Sequence, residues 1–554
     1  MTEESIRRIR DSYGENQVIT GEYDVSLSAK CSNGVFVGAK SGDICAFRGI
    51  PFAKPPTGSL RWKAPVPVDE SETVHEAYYN GKSPLQTLWD TEQASFYPRS
   101  EDCLYLNVWK NLNDTTEKKP VMVFFHGGSY GWGGTADPLY DGRNFVSKQS
   151  DIILVTVGYR VGIMGFVDLS YFEGGKDYPD APNLGLLDQI EALRWVQRNI
   201  HAFSGNPKNV TIFGESAGGG SVSLLPIIRE AKGLFHRVIA QSGSVALSFS
   251  EAECRDYTLK LIKGSGMGSM DELMSLSEEE IIDLNTKLNL DNNFPQRDGK
   301  LISLNPYDDY YSGVTSDVDM LIGTNANELN YWIGELGGIV PFRLGIPVKF
   351  ENDLRTISHE DKKHIKKFMS SLNIRSVWKI AEFYNEVMFR LPAVNQAQLH
   401  AQSGGNAYMY YFKEPSAIKF RGACHAVELA YVFGNIDETI YTGKPADKQL
   451  SDTVMKMWAN FARTGNPSVV GINWKRYTVP ERATMILDKN PRLKNDILKK
   501  QRKLLFPLLR YMINASYTSL DYNVPFVRKV VAGAAAAAIG TAVGIVALRK
   551  LFKD

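Results

Sequence analysis

The stretch Gly214-Glu215-Ser216-Ala217-Gly218 decides how the rest of this chain is interpreted. It follows the apolar run 209–213 and precedes a sequence of helical character at 220–225. A glycine-flanked serine between a strand and a helix is typical of a nucleophile elbow, a sharp turn that lifts a reactive hydroxyl above a sheet. A side chain at position 214 or 218 would collide with the backbone of such a turn. We therefore predict that Ser216 is a nucleophile, and the alternative is an ordinary serine at a helix N-terminus.

Short apolar runs alternate with helical stretches along most of the chain, which predicts an α/β protein with a central, mostly parallel sheet. A helix predicted over 184–200 leads to the strand before Ser216. Two long helical intervals, 245–315 and 333–403, interrupt the alternation. We expect these insertions to lie over the active site and shape its pocket, and the alternative is a structural cap. The predicted core strands are 121–125, 152–157, 210–213, 238–241, 318–322 and 407–412.

A catalytic serine needs a general base, and the base needs a carboxylate that orients it. In this architecture the three residues follow one another along the chain as serine, acid and histidine. His425 follows the predicted strand 407–412 after a loop that contains glycine, so it is the predicted base. Glu328 follows the predicted strand 318–322 and is the predicted acid. The alternatives are a structural histidine and a solvated surface glutamate; His400, in the second insertion, is expected at the surface.

The tetrahedral intermediate of acyl transfer also needs hydrogen-bond donors for its oxyanion. Gly127 and Gly128 directly follow the predicted strand 121–125, and their flexibility lets the backbone turn its N–H groups towards a substrate. Ala217, next to the nucleophile, supplies a third N–H group. We predict that these three residues form an oxyanion hole, and the alternative is a simple glycine turn.

Composition excludes several classes of function. The 554 residues carry a formal net charge of +1, which argues against a general affinity for nucleic acid. The five cysteines include no CxxC pair, so neither a zinc site nor a complete disulfide framework is predicted, and no metal or organic cofactor is expected. The N-terminal segment has no apolar core that would indicate a secretory signal. These features predict a reducing, cytoplasmic setting for the body of the protein.

The C-terminal tail differs from the rest of the chain. We divide the sequence into a catalytic domain over 1–525 and an apolar tail over 526–554. Nineteen uncharged residues, 530–548, would as a helix nearly cross a hydrocarbon core of about 30 Å. Gly540 and Gly544 add a face of small residues suited to self-association. The tail is a candidate membrane anchor, and the alternative is an apolar helix packed on the protein or its oligomer.

With these residues placed, the chain resembles the type-B carboxylesterase family, which includes cholinesterases and bacterial p-nitrobenzyl-type esterases. The resemblance covers about 30–510 and implies an α/β-hydrolase fold. It also implies the roles already assigned to the triad Ser216, Glu328 and His425, and to the oxyanion donors. The motifs that carry it lie at 47–53, 101–108, 183–189, 214–219 and 422–425.

Several positions depart from the family pattern. Family members from secretory compartments pair the cysteine that matches Cys103 with an upstream one, but here the stretch 82–86 has none. Cys254 likewise finds no cysteine in 264–268. Ala426 and Leu329 stand where glycine is common, and Ser129 stands where many members have a third oxyanion-loop glycine.

The predicted function is a serine carboxylesterase that hydrolyses small-molecule esters through an acyl-enzyme intermediate. One alternative is an amide or carbamate hydrolase with the same triad, and another is a non-catalytic adhesion or scaffold protein of the same fold. Glu215 either adds negative potential beside the nucleophile or serves as a buried hydrogen-bonding residue. The aromatic candidates for lining the pocket, each of which could instead be core or rim, are Trp89, Tyr130, Trp132 and Trp332.

Overall fold

The computed structural model describes residues 3–87, 97–288, 290, 293–335 and 338–513. Its strands are β1 (Ser28–Cys31), β2 (Asn33–Ser41), β3 (Ile44–Pro51), β4 (Ser71–Ala77), β5 (Tyr105–Asn111), β6 (Lys119–Phe125), β7 (Ile153–Val157), β8 (Gly205–Glu215), β9 (Arg237–Gln241), β10 (Asp319–Asn325), β11 (Ala407–Phe412), β12 (Ala483–Leu487) and β13 (Arg492–Asn495). They form one sheet in the order β1-β2-β3-β5-β7-β6-β8-β9-β10-β11-β12-β13, with β4 paired to β2. The strands from β7 to β12 run parallel, and antiparallel strands flank them.

The predicted α/β-hydrolase fold with a mostly parallel sheet is confirmed. Parallel strands covered on both faces are expected to be continuous apolar runs, and all five residues of β7 and of β12 are buried. Five of the predicted strands differ from the observed ones by three residues or fewer at either end. The exception is β8, which begins at Gly205 rather than at residue 210. Seven strands, β1–β5, β12 and β13, were not predicted.

Helices cover both faces of the sheet. They are α1 (Glu3–Asp11), α2 (Arg143–Lys148), α3 (Gly162–Gly165), α4 (Leu184–Asn199), α5 (Ala217–Leu224), α6 (Glu251–Ser265), α7 (Met270–Met274), α8 (Glu278–Leu288), α9 (Pro306–Ser312), α10 (Trp332–Glu335), α11 (Ile339–Thr356), α12 (His359–Ser371), α13 (Ser376–Tyr384), α14 (Leu391–Gln402), α15 (Leu429–Phe433), α16 (Lys448–Thr464) and α17 (Lys499–Leu505). A π-helical segment, Asn385–Arg390, joins α13 to α14. The two predicted insertions are therefore helical, as α6–α9 and α10–α14.

A buried ion pair links α4 to the loop after β7. Asp188 accepts hydrogen bonds from Arg160 Nη2 and Nε at 2.7 and 2.9 Å, and from the Arg160 backbone N–H at 3.0 Å. Both side chains are almost completely buried. Arg160 Nη1 also donates to the Lys63 carbonyl at 2.8 Å, but Asp188 is the carboxylate that pairs with it. Loss of either charged side chain would therefore leave an uncompensated charge in the interior.

The five cysteines are all buried and unpaired, including Cys103 and Cys254. His400 is also buried, in α14, where its Nδ1 lies 2.9 Å from Thr315 Oγ1. The surface position expected for His400 is therefore wrong, because the inner face of α14 packs against α9 and the sheet.

The apolar tail, with Gly540, Gly544 and the boundary at residue 525, lies outside the described residues, as does Trp89. Among the residues that are described, none of the helices has the length and apolar character needed to cross a bilayer.

Candidate active site

Ser216 lies at the sharp turn between β8 and α5. Its φ and ψ are 58° and −119°, a conformation that costs a non-glycine residue about 1–3 kcal/mol. The turn is held by the hydrogen bond from the Ser216 N–H to the Gln241 carbonyl, at 2.9 Å. A Cβ on Gly218 would lie 1.9 Å from the Phe125 carbonyl oxygen, and one on Gly214 would lie 2.5 Å from the Gly218 backbone. The backbone around the turn thus requires glycine on both sides of the serine.

The loops after β10 and β11 bring Glu328 and His425 together. Glu328 Oε2 lies 2.7 Å from His425 Nδ1, although 97 residues separate them in sequence. The other carboxylate oxygen, Oε1, accepts hydrogen bonds from Ser242 Oγ at 2.7 Å and from the Asn325 N–H at 2.6 Å. The Glu328 carboxylate is completely buried, so these contacts fix its position.

The second ring nitrogen of His425 faces a different carboxylate. His425 Nε2 lies 3.2 Å from Glu215 Oε1, and Glu215 directly precedes the nucleophile. Within the described chain, no hydrogen bond joins Ser216 Oγ to His425. A third buried carboxylate, Glu428, accepts from Gln241 Nε2 at 3.1 Å and from Asn325 Nδ2 at 2.5 Å. The histidine therefore lies among buried acids, a set that the sequence analysis only partly anticipated.

These surroundings change the protonation of the site. Burial by itself lowers the pKa of His425, but the Glu215 charge and the hydrogen bond to Glu328 outweigh it and raise the pKa to about 9. Burial raises the pKa of Glu215 to about 8. Both shifts are upward, so protonation of the His425–Glu215 pair is favoured at neutral pH.

The loop after β6 places Gly127 beside the nucleophile, since a Cβ on Gly127 would lie 3.1 Å from Ser216 Cβ. Gly128 has a φ of +107°, and a Cβ there would lie 2.1 Å from the Trp132 carbonyl oxygen. Ser129 continues the turn with a φ of +52°, so the position where the family often has glycine is strained in this chain. Ala217 opens α5, where a backbone N–H has no partner within the helix.

Three aromatic rings surround His425. The ring centroids of Phe389, Trp332 and Tyr331 lie 5.1, 5.7 and 5.8 Å from that of the histidine. Of the aromatic residues singled out in the sequence, Trp332 thus lies at the site. Tyr130 is instead a core residue, packed on Phe166 and Phe294, and its hydroxyl lies 3.3 Å from Ser221 Oγ.

Phe389 and Tyr331 were not anticipated. Phe389 lies in the π-helical segment, and nothing in its local sequence indicates that it reaches a loop 36 residues further on. Tyr331 follows the acid by three residues, and its proximity to Glu328 was the one available signal. Across the described parts of the chain, no group of three His, Cys, Asp or Glu side chains is placed to hold a metal ion.

Comparison with known proteins gives a consistent result. The model of the carboxylesterase family matches residues 28–505. The para-nitrobenzyl esterase of Bacillus subtilis is 35% identical over 514 residues, which cover 89% of this chain and 99% of that protein. A cholinesterase of Mus musculus is 32% identical over 548 residues, covering 88% of this chain and 87% of that one. The crystal structure of a carboxylesterase from Geobacillus stearothermophilus superimposes with a TM-score of 0.77 at 30% identity, covering 86% of this chain and 99% of the other.

Proposed function

The chain belongs to the carboxylesterase family and is a serine ester hydrolase, and we propose that Ser216, Glu328 and His425 form its catalytic triad. The observation that carries this proposal is the 2.7 Å contact between Glu328 Oε2 and His425 Nδ1, formed next to the strained turn of Ser216. A carboxylate at Nδ1 holds the proton on that nitrogen and leaves Nε2 free to act as a base.

In the first step, Ser216 Oγ attacks the ester carbonyl carbon while His425 Nε2 takes the hydroxyl proton. This transfer requires His425 to be unprotonated at Nε2, and Nε2 then exchanges its contact with Glu215 Oε1 for one with Ser216 Oγ. The backbone N–H groups of Gly127, Gly128 and Ala217 stabilise the oxyanion of the tetrahedral intermediate, and each such donor contributes about 3–4 kcal/mol.

Collapse of the intermediate expels the alcohol, which takes the proton from His425. The same histidine then activates a water molecule that attacks the acyl-enzyme, releases the carboxylic acid and restores Ser216. Glu328 stabilises the imidazolium, because its buried carboxylate remains hydrogen-bonded to Nδ1.

The aromatic rings around the base support apolar substituents on the ester. Phe389, Trp332 and Tyr331 present ring faces and edges near His425, the residue that protonates the departing alcohol. We expect esters with apolar alcohol groups to be preferred over charged ones, since burial of apolar surface contributes about 25 cal/mol per Å².

The proposal is tested by replacing Ser216 with alanine. The Ser216→Ala protein is expected to fold normally, to lose hydrolysis of p-nitrophenyl acetate and to lose labelling by a fluorophosphonate probe. The matched control is Ser312→Ala, at an exposed serine in α9, which should keep both properties. Turnover by the Ser216→Ala protein equal to that of the control would refute the assignment.

We also propose that residues 526–554 attach the enzyme to a membrane with its body in the cytoplasm, and that Gly540 and Gly544 support self-association there. The nineteen uncharged residues over 530–548 support attachment, and the five buried, unpaired cysteines are compatible with a reducing compartment. Deletion of the residues after Pro525 should release active enzyme from the membrane fraction. Unchanged fractionation of the truncated protein would contradict the proposal.

A further inference from the structure

An exposed apolar patch lies at the surface of the helical cover. It consists of Ile374, Arg375, Trp378, Lys419 and Phe420, and we call it the Trp378–Phe420 patch. The two aromatic rings lie 6.2 Å apart, and the Trp378 N–H donates to the Arg375 carbonyl at 3.0 Å. Phe420 is 39% exposed and Ile374 is 43% exposed. The patch therefore presents apolar side chains to solvent next to two cationic residues.

Phe420 is also held in an unfavourable backbone conformation. Its φ is +71°, in the left-handed region that bulky side chains rarely adopt. Such strain costs about 1–3 kcal/mol and concentrates at functional positions. Here the strained residue is one whose aromatic side chain stays partly exposed at the surface.

Two cationic residues belong to the patch, and basic residues outnumber acidic ones in the segments that share its apolar cluster. The Lys419 ammonium lies 4.9 Å from the centroid of the Phe420 ring. Residues 339–384, which form α11–α13, contain nine Lys or Arg against five Asp or Glu, and residues 499–511 contain five against none. Five of these fourteen cations form ion pairs with carboxylates, and the remaining nine carry the local positive charge; the paired ones are Lys349, Lys363, Lys499, Arg502 and Arg510.

The described chain ends in the same layer. The helix Phe506–Tyr511 packs in the apolar cluster that also contains Trp378, with Leu508 buried and Ile513 at its edge. Forty-one residues follow Ile513, and they include the uncharged run 530–548. The last described residue thus lies in the layer that carries the patch.

The patch is connected to the active site through the acid loop. The Phe420 carbonyl accepts a hydrogen bond from Asn330 Nδ2 at 3.0 Å. Asn330 lies two residues after Glu328 and immediately before Tyr331, whose ring contacts His425. A surface that binds the patch would therefore lie close to the aromatic rings that surround His425.

We propose that the Trp378–Phe420 patch rests on an anionic lipid surface, so that the enzyme takes apolar esters directly from the membrane. Aromatic and aliphatic side chains enter the interface between headgroups and acyl chains, while lysine and arginine bind anionic headgroups. Each cation near such a surface strengthens binding about fivefold. The inference rests on the proposed attachment through the tail, and it adds the orientation in which the attached body lies.

A fluorescent probe at position 374 tests this orientation. Because all five native cysteines are buried, the full-length Ile374→Cys protein can be labelled selectively with an environment-sensitive nitrobenzoxadiazole probe. With vesicles that contain phosphatidylserine, its emission should shift to the blue and increase at least twofold. The matched control is Val470→Cys, at a fully exposed apolar residue outside the patch, whose emission should not change.

Neutralising the patch in the same protein tests the role of charge. The additional changes Arg375→Gln and Lys419→Gln should abolish the emission change at position 374, because each lost cation weakens surface binding about fivefold. Ser216→Ala carrying the label should respond like the parent, so that failure of the proposed triad is distinguished from failure of this inference. The inference is overturned if position 374 keeps its aqueous emission while the protein sediments with vesicles, if both positions respond equally, or if the protein does not bind vesicles.

Discussion

Replacing Glu328 with glutamine is expected to remove most of the activity without unfolding the protein. The carboxylate makes contacts on two sides, since Oε1 accepts from Ser242 and Asn325 while Oε2 faces His425 Nδ1. A glutamine amide has only one acceptor oxygen, so it cannot serve both sides. If that oxygen accepts from Ser242 and Asn325, the amide NH₂ points at Nδ1 and favours the imidazole tautomer with its proton on Nε2.

The magnitude follows from this tautomer. An imidazole protonated on Nε2 cannot accept the Ser216 proton, and the equivalent change in a serine protease lowers kcat about 10⁴-fold. That factor corresponds to about 5 kcal/mol in the activation barrier. Glutamine has the same size as glutamate, so the substitution creates no cavity at this buried site. We therefore expect the variant to remain folded.

The assay is kcat for p-nitrophenyl acetate on purified protein, with thermal unfolding monitored in parallel. The matched control is Ser242→Ala, which removes one donor to Oε1 but leaves the contact with Nδ1, so kcat should fall by about tenfold or less. A folded Glu328→Gln protein whose kcat lies within tenfold of the wild-type value would refute the assignment of Glu328 as the orienting acid.

Three further predictions concern the loops and the core. Only unprotonated His425 can act as a base, so the acid limb of the pH profile of kcat/KM should lie above pH 6.5. Glu215→Gln removes a charge that raises the His425 pKa, so it should move this limb down by about 1–3 pH units. An identical pH profile of the variant would contradict this. Ala426 has a φ of +64°, so Ala426→Gly should raise the free energy of unfolding in urea by about 0.5–1 kcal/mol, and a decrease would show that no strain was relieved. Asp188→Asn should lower that free energy by about 3–5 kcal/mol because it leaves Arg160 without a counter-charge, whereas a loss below 1 kcal/mol would mean that the pair is dispensable.

The centre of the fold was predictable because its strands are apolar on both faces. Runs such as 121–125 and 153–157 leave few alternatives to a buried strand, and the glycines around Ser216 fix the turn that follows β8. The first residues of β8 are different. Gly205 and its polar neighbours have low strand propensity, yet they extend the strand because Gly205 pairs with Lys119 of β6 across a bulge. That pairing depends on the tertiary structure, and the local sequence does not indicate it.

The acid and the base of the candidate site were predictable from the order of strands and loops along the chain. The acid and the base follow successive core strands, and the carboxyl ends of parallel strands meet at one edge of the sheet. The contact between His425 Nε2 and Glu215 depends instead on side-chain orientation, which the sequence does not specify. The same holds for Phe389, whose position is set by the packing of the second helical insertion.

The separation of the catalytic residues along the chain has a consequence for synthesis. His425 leaves the ribosome 97 residues after Glu328, and at about 5–20 residues per second this delay lasts about 5–20 s. During that time Glu328 has no imidazole partner, and the nascent polypeptide cannot cleave esters. Hydrolytic competence therefore arises only late in translation, once β11 has joined the sheet beside β10.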